Sequence, residues 1–176
     1  KRALLAEIGL KLSRARLLAD LTVAAAFRHS RAGERGLDQG SIDAADLARN
    51  IDRKEAVARH QVLAWLETDR PTGGMRRRPL HWPLTFPEVF ENGGFDAIIG
   101  NPPFLGGNKI RAELGGQYVD ALFKLYEGRV PAFADLVCYW FEKARAMIET
   151  GEVKRAGLLA TNSIRGGANR KVLERI

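Results

Sequence analysis

Residues 95–107 read Phe95-Asp96-Ala97-Ile98-Ile99-Gly100-Asn101-Pro102-Pro103-Phe104-Leu105-Gly106-Gly107, and their pattern decides the fold. A short apolar run ends at Gly100 and gives way to a stiff loop, polar first and aromatic last. Such a run, bounded by turn formers, reads as a buried strand. Residues 156–161 form a second run of this kind, and between the two, residues 134–149 carry a helical stripe. Leu136, Trp140, Ala144 and Met147 share one face of it, with Val137, Phe141 and Ile148 beside them. Strand, long crossover and strand predict a parallel pair in a doubly wound α/β sheet, with the 134–149 helix packed on one face. Ligands of such sheets bind beyond the carboxyl ends of the strands, where Asn101-Pro102-Pro103-Phe104 falls.

The loop has a definite chemistry. An amino group conjugated to an aromatic ring is a poor nucleophile, because its lone pair is delocalised. The side-chain oxygen of Asn101 can accept one of its N–H groups and the carbonyl of Pro102 the other. Two acceptors placed out of the ring plane favour a tetrahedral nitrogen, whose lone pair can then attack an electrophile. Proline fixes its own φ and restricts the residue before it, so Pro102 and Pro103 preset the carbonyl direction. Phe104 can stack on the ring, a contact of roughly 1–3 kcal/mol per base. The plain structural alternative is a proline turn that ends a strand.

Asn101-Pro102-Pro103-Phe104 after a short apolar strand resembles the catalytic motif of amino-methyltransferases that use S-adenosylmethionine, above all the DNA adenine-N6 enzymes. Similar motifs occur in enzymes that methylate protein glutamine side chains and guanine in ribosomal RNA. The flanks narrow the resemblance. His81-Trp82-Pro83-Leu84-Thr85-Phe86-Pro87-Glu88-Val89-Phe90, Leu105-Gly106-Gly107, Ala134-Asp135-Leu136-Val137-Cys138-Tyr139-Trp140-Phe141 and Thr161-Asn162-Ser163-Ile164-Arg165-Gly166-Gly167 resemble stretches of large restriction–modification methyltransferases, best of all the MmeI-like, type II branch. The resemblance covers residues 79–176 well and the first 70 loosely.

That resemblance implies a partial Rossmann-like methyltransferase sheet preceded by a helical segment. It implies a site-specific enzyme transferring a methyl group from S-adenosyl-L-methionine to N6 of adenine in DNA, within a restriction–modification or phage-defence system. Asn101, Pro102, Pro103 and Phe104 are then the catalytic residues, and double-stranded DNA and the remainder of the parent polypeptide are the partners. A protein-glutamine or RNA methyltransferase is the alternative of the same chemistry. A non-catalytic nucleic-acid-binding fragment is the alternative of another class.

The family's glycine-rich cofactor loop has no counterpart here, since neither Gly33-Glu34-Arg35-Gly36 nor Gly151-Glu152 follows an apolar strand. The chain opens without methionine and ends at Leu173-Glu174-Arg175-Ile176 inside a helical pattern. It is therefore expected to be an internal fragment, inactive alone and at best a weak binder of the cofactor. Only Asp96 and Asp135 are candidates for cofactor contact. Asp96 reads first as a strand-start residue bonding nearby backbone, and Asp135 first as a helix N-cap.

The 176 residues suffice for a sizeable core. No stretch approaches the ~20 apolar residues of a membrane span, and Glu7, Lys11 and Arg14 interrupt any leader-like core. The single cysteine, Cys138, excludes an intrachain disulfide and a cysteine-rich zinc site, and points to a reducing, cytoplasmic setting. His29 and His60 lack partners at metal-ligand spacing, so no metal is expected. The net charge of +7 is uneven: residues 1–78 carry 16 Lys/Arg against 10 Asp/Glu, and residues 79–176 carry 12 against 11. That excess fits a polyanionic partner as well as a solvated helical face.

Residues 1–70 read as a helical hairpin. Helix 3–28 carries Leu5, Ile8, Leu12, Ala15 and Ala19 on one face, broadened by Leu10, Leu17 and Leu21. The glycine-rich stretch 30–40 reads as a loop, and Asp43 as the N-cap of helix 44–68, whose stripe is Leu47, Ile51, Ala58, Val62, Trp65 and Leu66. Pro71, Gly73 and Gly74 mark a boundary before a partial catalytic domain at 79–176. Within it, residues 80–90 read as a short strand and a helical turn at 87–91, residues 117–126 as a helix, and residues 169–176 as the start of another. Gly106, Gly107, Lys109 and Arg111 read as a mobile loop, with Lys109 and Arg111 as DNA-phosphate contacts or plainly solvated. Asn162 and Ser163 read as a turn or a substrate contact. Arg76-Arg77-Arg78 reads as solvated or DNA-facing, and His81 and Trp82 as packing residues.

Overall fold

The computed structural model describes residues 2–176, with side chains from Glu7 onward. The chain divides into two compact units, Lys1–Thr85 and Phe86–Ile176.

The first unit is helical: α1 (Arg2–His29), α2 (Gly33–Arg49), α3 (Ile51–Leu66) and the short α4 (Trp82–Thr85). Its core joins Leu17, Leu21, Ala24 and Ala25 of α1 to Ala58, Val62, Trp65 and Leu66 of α3, with Ala44, Leu47 and Ile51 at the edge. The stripe expected on α3 is therefore the one that packs. On α1, Leu17 and Leu21 of the expected face are buried, whereas Ile8, Leu10 and Leu12 are exposed. Leu5 lies outside the residues whose side chains are described.

The hairpin expectation is corrected to three helices. Residues 33–40, read as loop, form the first half of α2, and Asp43 lies inside that helix and caps nothing. The reason is close packing. Gly36 and Gly40 are buried, and a Cβ at Gly40 would stand 3.1 Å from the Ala25 carbonyl and from the His29 ring. Glycine costs a helix about 1 kcal/mol, and here it lets two helix backbones approach. The segment after α3 turns back through a bond from the Gly74 N–H to the Pro71 carbonyl at 2.9 Å, with Gly73 at φ 74°. Arg77 then donates to the carbonyls of Leu66 and Thr68 at 2.7 and 2.8 Å and lies over the Phe27 ring. Part of the arginine run is thus a packing element. His81 pairs with Asp20 at 2.7 Å.

The second unit comprises α5 (Pro87–Glu91), β1 (Ile98–Gly100), α6 (Gly107–Leu114), α7 (Gly116–Leu125), α8 (Leu136–Glu149), β2 (Ala156–Leu158) and α9 (Gly167–Leu173), with a 3-10 turn at Asn162–Arg165. The strand expected within residues 80–90 is absent: α4 and α5 occupy it. Ile98 pairs with Ala156 and Gly100 with Leu158 in a parallel register. The two apolar runs are therefore neighbouring parallel strands, as expected, but they are shorter than the runs themselves and not buried, since Ile99 and Leu159 are exposed at 88% and 63%. These two strands make up the sheet among the described residues, and a larger Rossmann-like sheet is not displayed. The core gathers Ile110, Val119, Val137, Cys138, Tyr139 and Val172. On α8, Leu136, Val137, Ala144 and Met147 are buried, whereas Trp140 and Ile148 are exposed against expectation.

Gly94 starts the parallel pair. It holds φ 96°, and a Cβ there would lie 2.1 Å from the Glu152 carbonyl oxygen, to which the Phe95 N–H donates at 2.8 Å. The obstacle is backbone, so no rotamer change relieves it. Gly94→Ala is expected to lower the unfolding free energy by about 2–3 kcal/mol. Urea denaturation reads this, and a change under about 0.5 kcal/mol would contradict the account of the strand start.

Candidate active site

Three segments of the second unit are tied together beyond the carboxyl ends of β1 and β2. The first is the loop after β1. Gly100 accepts from the Leu159 N–H at 3.0 Å, which closes the strand pair and releases the next four residues from it. In that loop Pro102 is buried, while Asn101, Pro103 and Phe104 are exposed, Phe104 at 42%. The buried proline anchors the loop and leaves the amide and the aromatic ring facing solvent.

The second segment is the start of α8. Asp135 is its N-cap, as one of its two readings had it: Oδ1 accepts from the Val137 N–H at 3.1 Å. The same oxygen accepts from the Leu105 N–H at 3.1 Å, and the Leu136 N–H donates to the Leu105 carbonyl at 2.9 Å. One carboxylate thus caps a helix, worth about 1 kcal/mol, and grips the end of the Asn101 loop. Just before it, Phe133 is exposed and takes φ 66°, and a Cβ at Gly107 would stand 2.1 Å from its carbonyl oxygen. Glycine at 107 is what allows this approach.

The third segment follows β2. The Thr161 and Ser163 hydroxyls share a 2.6 Å bond. Asn169 on α9 accepts at Oδ1 from the Asp135 N–H at 2.8 Å and donates through Nδ2 to the Ser163 carbonyl at 3.1 Å. The Cys138 thiol also points at that Oδ1, 3.5 Å away. Burial pushes this thiol up to about 11, so it stays protonated and can donate.

The remaining sequence candidates lie elsewhere. Asp96 sits at the amino end of β1, exposed, in a 2.5 Å ion pair with Lys154 that lowers its pKa. Lys109 and Arg111 are not in a mobile loop but on α6, because Ile110 is fully buried and holds that helix to the core. Lys109 is exposed. Arg111 bonds the Asp120 carboxylate at 2.7 Å and the Gly116 carbonyl at 3.2 Å, linking α6 to α7. Asn169 was missed as a site residue. Its only sequence signal is an asparagine in the first turn of a short helix after a glycine pair, which many caps and turns share.

The Asp135 oxygen is engaged by two backbone N–H groups, and Asp96 is at the opposite end of its strand with Lys154. No helix among the described residues is long and apolar enough to cross a membrane.

The sequence model of the Eco57I restriction-modification methylase matches residues 6–163, which span most of both units. No curated protein and no solved structure matches the chain.

Proposed function

This chain belongs to the Eco57I restriction-modification methylase family, and from that premise we propose that it carries the amino-holding loop of a site-specific DNA adenine-N6 methyltransferase. The observation that carries the reading is the Asn101-Pro102-Pro103-Phe104 loop, exposed at the carboxyl end of a parallel strand and gripped at its far end by Asp135. The methyl donor in this reading is S-adenosyl-L-methionine, whose sulfonium supplies an electrophilic methyl group. The MmeI-like subtype rests on the flanking stretches around residues 81–90 and 134–141.

In the proposed mechanism the adenine is rotated out of the duplex, since a stacked base cannot reach such a loop. Phe104 stacks on one face of the ring. Asn101 Oδ1 and the Pro102 carbonyl accept the two N6–H bonds and draw the nitrogen toward tetrahedral geometry. As that nitrogen bonds the methyl group and the donor's S–CH3 bond breaks to leave the thioether, positive charge would grow on it. Two fixed acceptors would stabilise that charge without reorganising, and the surplus N6 proton would then pass to water. Pro103 holds the Pro102 carbonyl in place. Lys109, exposed on α6, is available to DNA phosphate, and Arg111 is offered as a second contact beyond its bond to Asp120. Residues 1–70 form a helical segment that precedes this catalytic part in the sequence.

The test is product identity. The intact protein is incubated with labelled S-adenosylmethionine and duplex DNA, structured RNA or a glutamine-containing protein in parallel. The expected product is N6-methyladenine in DNA. Label on cytosine, RNA or protein instead would replace this reading with one of its alternatives.

A further inference from the structure

Asn169 lies outside the loop that would hold the base, yet its amide is the link between the start of α8 and the turn after β2. Resting on the function proposed above, we infer that Asn169 is a positioning residue for the Asn101 loop and acts through Asp135.

The geometry leaves little freedom. Oδ1 faces an N–H and Nδ2 faces a carbonyl, so a flipped amide would set like against like at both ends. The Cys138 thiol adds a second donor on the Oδ1 side. Aspartate lacks the donor toward Ser163, and serine is too short to reach both partners. Beyond Asn169 the chain of contacts continues without a gap. The Asp135 N–H donates to Asn169 Oδ1, and Asp135 Oδ1 in turn holds Leu105, four residues after Asn101. Ala134, next to the anchored N–H, is fully buried, while Asp135 itself is only half-buried. Loss of the Asn169 clamp therefore lets Asp135 shift, and the loop shifts with it. A displacement of ~1 Å in a reacting group can cost roughly a hundredfold in rate.

The experiment compares the intact wild-type protein with Asn169→Ala, Asn169→Ser, Asp135→Ala and the Asn169→Ala/Asp135→Ala double variant. Turnover of Asn169→Ala should fall roughly ten- to a hundredfold, with KM for DNA and for S-adenosylmethionine within about threefold of wild type. Hydrogen exchange at the Leu105 amide should accelerate. The double variant should be no slower than Asp135→Ala, because both substitutions break one connection. Should Asn169→Ala not fold, Asn169→Ser is read in its place, with the same expected direction.

Wild-type turnover in a folded Asn169 variant, unchanged exchange at Leu105, or additive losses in the double variant would each overturn the inference. Leu105 exchange needs no substrate. If the protein proves to methylate RNA or protein, the proposed function falls while the exchange result still decides the role of Asn169.

Discussion

Asn101→Ala is expected to lower single-turnover methylation by about 10²–10³-fold, the cost of removing one preorganised partner of a developing charge. Duplex binding should change far less, within about threefold, because the Asn101 acceptor matters most as charge builds on nitrogen. The structure makes the variant clean. Asn101 is exposed, and the loop is fixed by buried Pro102 on one side and by Asp135 through Leu105 on the other. Truncating the amide therefore removes an acceptor and leaves the backbone course in place. Rapid-quench methylation and a binding titration on the same duplex separate the two quantities. Methylation within about threefold of wild type would exclude the role given to Asn101, and equal losses in binding and methylation would make it a ground-state contact.

The parts legible in the sequence are those whose signal is local. The strand pair follows from two apolar runs flanking a long helix, and Asp135 from an acidic residue placed just before an apolar stripe. Neither needs knowledge of the rest of the chain. What was illegible depends on partners remote in sequence. Gly36 and Gly40 look like loop residues until α1 lies against them, with Ala25 and His29 in the space a side chain would take. Ile110 fixes α6 only because a core from α7, α8 and α9 receives it. Arg77 looks solvated until the carbonyls of Leu66 and Thr68 are seen beside it. Asn169 acquires meaning only through Asp135, 34 residues away. The tetrapeptide points to the chemistry, but the groups that hold it in place are scattered, and their residue types are unremarkable in one dimension.

Glu142→Ala is expected to destabilise the second unit by about 3 kcal/mol, the lower end of what breaking a buried ion pair costs. Glu142 lies on α8 and is fully buried, yet it is charged. Arg145 grips both its oxygens, Nε to Oε2 at 2.8 Å and Nη2 to Oε1 at 3.0 Å, and Arg129 approaches Oε1 at 3.7 Å. Arg175, whose guanidinium bonds the Gly128 carbonyl at 2.6 Å, adds to the positive field. The carboxylate thus gathers the loop after α7, the body of α8 and the chain after α9, whose other ends carry Asp135 and Asn169. Removing it leaves a cavity and takes from Arg129 and Arg145 their shared counter-charge, Arg145 keeping its 3.0 Å pair with Glu149. The lower end of the range applies because Arg145 and Arg129 keep 21% and 37% of their side-chain surface in water and can turn outward. The bonds from Arg145, with the charges of Arg175 and Arg129, hold the Glu142 carboxyl below its usual pKa. A group whose pKa is lower in the folded state stabilises fully above its unfolded value, about 4.3 for Glu. That stability is lost as pH falls through the lower folded value. Glu142→Gln should therefore be less stable than wild type near neutrality, and the gap should narrow below about pH 4 as the wild-type carboxylate takes up its proton. Urea unfolding followed across acid pH measures both curves. A gap that stays constant to the most acid point, or a Glu142→Ala loss under about 1 kcal/mol, would show that the carboxylate is not what holds these three segments together.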